Sequence, residues 1–221
     1  MNEVAFSFQD LARAAEPFHL AIFGVAQANP KDPVPPQTKS IILLGPKEPG
    51  FWPYITRQAE FLDKGPDPVD RWSRRVITRL ADELDATPVL PFGGPPYSPF
   101  ISWALASGSA WTSPVSLLVH ASAGLFLSFR GALALPYAVQ PPPPAKQPCN
   151  ACSAQPCLTA CPAGAIDQGG YDLDRCHDYL NTDAGQDCLT NGCAVRRACP
   201  VSKTYARLPE QSAHHMKAFH P

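Results

Sequence analysis

Cys149-Asn150-Ala151-Cys152-Ser153-Ala154-Gln155-Pro156-Cys157-Leu158-Thr159-Ala160-Cys161-Pro162-Ala163-Gly164-Ala165-Ile166 decides how the rest of this chain is read. It holds four of the eight cysteines, and the others follow closely as Cys176, Cys188, Cys193 and Cys199-Pro200. All eight lie between positions 149 and 199, and none precedes them. So local a concentration of thiols points to a shared chemical task.

Three uses of the thiols compete. A disulfide framework suits a small exported chain, but Met1-Asn2-Glu3-Val4 opens no basic and apolar leader, so a reducing cytoplasm is expected. Structural zinc favours paired Cys-x2-Cys units, and only Cys149/Cys152 makes one. Iron–sulfur proteins of the bacterial two-cluster type repeat three close cysteines and a remote Cys-Pro, the remote one serving the other cluster. That pattern occurs twice here. A tight loop can wrap three corners of a cubane, and a distant thiolate must close the fourth. The expectation is therefore one 4Fe-4S cluster on Cys149, Cys152, Cys157 and Cys199, and a second on Cys176, Cys188, Cys193 and Cys161. The turn Cys161-Pro162-Ala163-Gly164-Ala165-Ile166 resembles the Cys-Pro-x-Gly-Ala-Ile turn of bacterial ferredoxins. The spacing from Cys152 to Cys157 is wider than in ferredoxins, as are those of the second half.

The fold class expected is α+β: a mixed α/β sheet domain over residues 1–140, a proline-rich linker at 141–148, and a bacterial ferredoxin-like two-cluster domain over 149–221. Proline supplies 27 of 221 residues, against an average of about 5%, and Pro141 to Pro144 favours extended polyproline II. Hydrophobic residues make up 45% of the chain, enough for a buried core.

Phe8 to Ala15 has helical periodicity, Phe18 to Ala26 and Ser40 to Leu44 read as strands, and Phe51 to Leu62 as a helix. Asp67-Pro68 predicts an N-cap and first turn, followed by Val69, Trp72, Val76, Leu80 and Leu84 on one face. Val89 to Phe92 suggests a strand and Pro99 to Leu105 a short helix. Val115 to His120 and Leu125 to Leu135 read as two strands of one sheet, turning at Ala121 to Gly124.

The net charge of -1 offers no broad attraction for nucleic acid or an anionic membrane, and no apolar window is long enough to span one. Arg71, Arg74, Arg75 and Arg79 read as a solvated helix face, His120 as a satisfied strand-end histidine, and His214-His215 as part of a surface helix. Gly93-Gly94 lacks the pattern of a phosphate loop. Tyr97 and Tyr137 carry no catalytic assignment.

Tyr171 to Pro200, including Asp174-Arg175-Cys176-His177-Asp178-Tyr179-Leu180, Gly192-Cys193 and Cys199-Pro200, resembles the ferredoxin domain of cobalamin-dependent epoxyqueuosine reductases. Pro99 to Ala104, Ser107 to Ser113 and Ser128 to Leu133 are similar in order to that family's corrinoid-facing domain. The resemblance implies two 4Fe-4S clusters beside a corrinoid, with Gly108, Trp111 and Ser113 against the macrocycle and a redox partner protein supplying electrons. The family's Ala-Gly-Leu-Gly loop stands here as Ser107-Gly108-Ser109-Ala110, its catalytic aspartate has no counterpart, and the chain ends 22 residues after Cys199 without its tRNA-gripping extension. The function expected is single-electron transfer through the clusters, with a corrinoid as acceptor. An iron–sulfur sensor or assembly module and a corrinoid-dependent reductase of a small molecule are the alternatives.

Overall fold

The computed structural model describes residues 5–221. The chain passes three times between two compact units. One contains the segment up to Ser109 together with Ser128–Ala145, and the other Ala110–Leu127 together with Lys146–Pro221.

In the first unit, α1 (Phe8–Ala15) starts at a capping box. The Ser7 hydroxyl accepts from the Asp10 amide, and the Asp10 carboxylate accepts from the Ser7 amide at 2.9 Å, which satisfies donors the helix leaves open. Strands β1 (Leu20–Gln27) and β2 (Ser40–Pro46) pair antiparallel, and every residue of β2 is buried. The expected helix over Phe51 to Leu62 is instead two, α2 (Phe51–Ile55) and α3 (Ala59–Leu62). Gln58 is extended between them, and the Thr56 hydroxyl donates to the Trp52 carbonyl at 2.9 Å, occupying a terminal acceptor of α2.

Helix α4 (Pro68–Glu83) buries Val69, Trp72, Val76, Leu80 and also Ile77. Pro68 takes the first turn as expected, but Asp67 is left-handed at φ +48° and its side chain caps nothing. Strand β3 (Thr87–Val89) and helix α5 (Phe100–Ala106) follow. After two short strands in the other unit, β4 (Ala110–Thr112) and β5 (Leu118–His120), the chain returns as β6 (Gly131–Leu135). The four-stranded sheet has the order β1-β2-β6-β3, antiparallel throughout. Gly131 admits α4 against β6, since a β-carbon there would lie 2.6 Å from the Ile77 side chain.

Two expectations about the middle of the chain are therefore corrected. Strands β5 and β6 belong to different sheets, because β5 pairs with β4 while β6 fills the gap between β2 and β3. The segment Ala110–Leu127 also falls in the cysteine-bearing unit, where the sequence boundary had left it with residues 1–140.

The arginine face of α4 is engaged within its own unit. Arg71 forms a two-pronged pair with Asp63, Arg75 pairs with Glu60, Arg79 pairs with Glu83, and Arg74 lies over the Phe92 ring. Ion pairs at an exposed surface contribute little to stability, so this face is an ordinary structural surface. Among the described residues no helix is long and apolar enough to cross a membrane.

Candidate metal centre

The cysteine-bearing unit is built from short elements. Single 3-10 turns at Pro148–Ala151 and Pro156–Leu158 carry Cys149 and Cys157, each turn with proline in its first positions, where a fixed φ and a missing amide cost nothing. A two-residue hairpin, β7 (Ile166–Asp167) and β8 (Gly170–Tyr171), leads to α6 (Leu173–Leu180), which carries Cys176. Helices α7 (Gln186–Asn191) and α8 (Ala194–Ala198) follow, with Cys188 in the first and Cys193 capping the second. Cys199 ends α8 and caps α9 (Pro200–Tyr205), and α10 (Pro209–Phe219) closes the unit. Its core is Val115, Val119, Leu125, Ile166 and Val195 with Cys157 and Cys199. Cys157 and Cys199 thus belong to that core, and Cys149, Cys161 and Cys193 pack against it.

Cys149, Cys152, Cys157 and Cys199 line one cavity of about 180 Å³, together with aliphatic side chains such as Val119 and Leu125. Burial pushes the Cys149 thiol up, and the nearby Cys157, Cys199 and Cys152 push it further. Burial likewise raises Cys157, with Cys199 and Cys152 adding to the effect. Four thiolates in so apolar a space would repel one another without a cation. The donor set therefore fits a group that brings positive charge and accepts four thiolates at once, as a four-iron cluster does.

In the second foursome the thiols influence one another electrostatically. Burial raises Cys176, the Tyr171 hydroxyl lowers it by donating to the sulfur, and Cys193 and Cys161 raise it. Cys188 is raised first by burial and then by Cys193. The electrostatic neighbours thus cross over along the chain. Cys199 acts on Cys149 and Cys157, whereas Cys161 acts on Cys176. Two hydrogen bonds run from the β7–β8 region onto this set: the Ala165 amide donates to Cys161 Sγ at 3.2 Å, and the Tyr171 hydroxyl to Cys176 Sγ at 3.3 Å. Gly164 sits at φ +60° in the turn after Cys161-Pro162, and its amide donates to the Cys161 carbonyl. A β-carbon would strain that left-handed backbone.

All eight cysteines are free thiols. Among the described residues no three or more His, Cys, Asp or Glu side chains are gathered around a point where a single metal ion could sit. Around one zinc, with Zn–S near 2.3 Å, tetrahedral sulfurs would stand about 4 Å apart.

What seats Cys199 is a set of contacts with Ala110–Leu127, a segment the sequence had assigned to the other domain. The Leu125 amide donates to the Ser202 hydroxyl at 2.8 Å, and the Arg196 guanidinium donates to the Leu125 carbonyl. Gly124, at φ +57°, lies so close to α9 that a β-carbon would stand 2.5 Å from the Ser202 amide nitrogen. In the same turn the buried His120 accepts from the Ser122 and Ala123 amides through Nδ1, the satisfied strand-end histidine that was expected. His214 and His215 ride on α10, as anticipated for a surface helix.

The three residues assigned to a corrinoid are divided between the units. Gly108 belongs to the first, at φ +66° with nothing within 4 Å of where its β-carbon would be. Trp111 packs against the core of the cysteine-bearing unit, and Ser113, 6% exposed, lines the first cysteine cavity with its hydroxyl unpaired. Neither unit by itself gathers all three. Tyr97 and Tyr137 both belong to the first unit, Tyr97 exposed and Tyr137 buried. No protein-family model matches this chain, and no curated protein or solved structure does either.

Proposed function

We propose that this protein is an iron–sulfur electron carrier, with one 4Fe-4S cluster held by Cys149, Cys152, Cys157 and Cys199 and a second by Cys161, Cys176, Cys188 and Cys193. The observation that carries the proposal is the apolar cavity into which four thiols from 51 residues of chain converge. Bound there, such clusters accept and release one electron at a time.

The chain's own residues contribute the thiolates, the apolar wall around the first set, and the amide and hydroxyl donors directed at the second. A reducing cytoplasm is the compartment proposed, because free thiols persist there. With a net charge of -1, long-range steering is weak, and a redox partner protein would be recognised by local contacts.

The resemblance to epoxyqueuosine reductases extends the proposal to a corrinoid acceptor on the first unit. One surface feature favours it: Ile101 and Leu105, four residues apart on α5, are 64% and 42% exposed, and α5 ends just before the unobstructed Gly108. An apolar helix face beside bare backbone suits a flat macrocycle. Anaerobic titration with cobalamin should shift the corrinoid spectrum toward the form lacking its lower base. An unchanged spectrum at saturating cobalamin leaves a two-cluster carrier without this acceptor.

The carrier proposal itself is tested by composition. Protein purified anaerobically should contain about eight iron and eight sulfide per chain and should reduce and reoxidise without losing them. A colourless, zinc-loaded protein from iron-replete cells would overturn it. Iron released on each oxidation, coupled to loss of a partner, would favour a sensor instead.

A further inference from the structure

The Tyr171 hydroxyl donates to a cysteine sulfur, reaching Cys176 Sγ at 3.3 Å. Its position is built. The backbone of Tyr171 is paired with Ile166 across the β7–β8 hairpin, and its ring stacks on Phe219, with centroids 6.3 Å apart and planes 19° from parallel. Phe219 stacks in turn on His177 at 4.6 Å, also at 19°. The far end of α10 thus places one aromatic ring between Tyr171 and the residue next to Cys176. His220, which follows Phe219, is tied back to α6 by a 2.7 Å contact between its Nδ1 and that of His177, and to Asn181 at 3.1 Å. Tyr171 itself is 39% exposed, so packing against Phe219, rather than burial alone, restrains its ring.

We propose that Tyr171 sets the reduction potential of the second cluster by hydrogen-bonding the Cys176 thiolate, and that Phe219 is the residue that positions it. This rests on the reading of Cys161, Cys176, Cys188 and Cys193 as cluster ligands. Adding one electron from a donor makes the cluster and its thiolates more negative, and a donated O–H interacts more strongly with the more negative sulfur. The hydrogen bond therefore favours the reduced state. Tyr171 keeps its proton throughout; only the electron moves. Without that hydrogen bond the second cluster would be harder to reduce.

The test is an anaerobic redox titration of the whole protein, followed by electron paramagnetic resonance so that the two clusters are read separately. Tyr171→Phe removes the O–H and keeps the ring. At the potential where the second cluster of the unsubstituted protein is half reduced, its reduced-to-oxidised ratio should fall about threefold to tenfold. Tenfold corresponds to about 59 mV for one electron. The first cluster should be unmoved, and Phe219→Ala should shift the second in the same direction. An unchanged second potential in Tyr171→Phe, with all the iron retained, would overturn the inference, as would loss of four irons from that variant, which would make Tyr171 a structural support. Failure of the cluster reading would show separately, as missing iron in the unsubstituted protein.

Discussion

Gly124→Val is expected to destabilise the cysteine-bearing unit by about 2–6 kcal/mol and to lose the iron of the first foursome. Two costs combine. The backbone is left-handed at φ +57°, where a β-branched residue costs about 1–3 kcal/mol. The new side chain would also meet the backbone of α9, with the Ser202 nitrogen 2.5 Å and its α-carbon 3.0 Å from the β-carbon, and such overpacking adds about 1–3 kcal/mol. Neither obstacle is the flexible tip of a side chain, so α9 must move. The Leu125 to Ser202 hydrogen bond would break, and Cys199, which caps α9, would be displaced with it. Denaturant unfolding together with iron analysis checks this. Full iron content and unchanged stability would mean that the turn at Gly124 does not hold Cys199 in place.

Cys199→Ser should lower iron from about eight to about four per chain, with the loss confined to one spectroscopic cluster. The thiol is 8% exposed and lies in the same cavity as Cys149, Cys152 and Cys157. Removing it leaves three thiolates on one corner-bound loop and no ligand for the fourth iron. Iron and sulfide counts on the purified variant decide the matter. Retention of all the iron would remove Cys199 from the ligand set.

Much of the first unit was legible because its helices and strands are strongly periodic. Helix α1 runs from Phe8 to Ala15 as read, and α4 begins at Pro68 with its apolar stripe buried. Local chemistry failed where tertiary geometry overrode it: Asp67 has a capping residue's identity but a left-handed backbone that keeps its carboxylate from the helix amides. The run from Val115 to Leu135 misled for another reason. Its apolar residues serve two cores, so continuous hydrophobicity concealed a passage between units after Leu127.

Cys-Pro placement in the sequence points to crossed use of the cysteines, and Cys149, Cys152, Cys157 and Cys199 do line one cavity. The supports around them were not legible. Ser202 meets Leu125 across 77 positions, and Phe219 reaches Tyr171 from the far end of α10. Neither pair carries a local motif. Only the position of Tyr171, five residues before Cys176, gave any signal of a second-set donor.

The central claim is that the two clusters take crossed ligands, and the most direct measurement compares single cysteine-to-serine variants by electron paramagnetic resonance after anaerobic reduction. The account predicts that Cys199→Ser alters the same signal as Cys149→Ser, and that Cys161→Ser alters the same signal as Cys176→Ser. Grouping of Cys161 with Cys149, or of Cys199 with Cys176, would contradict it.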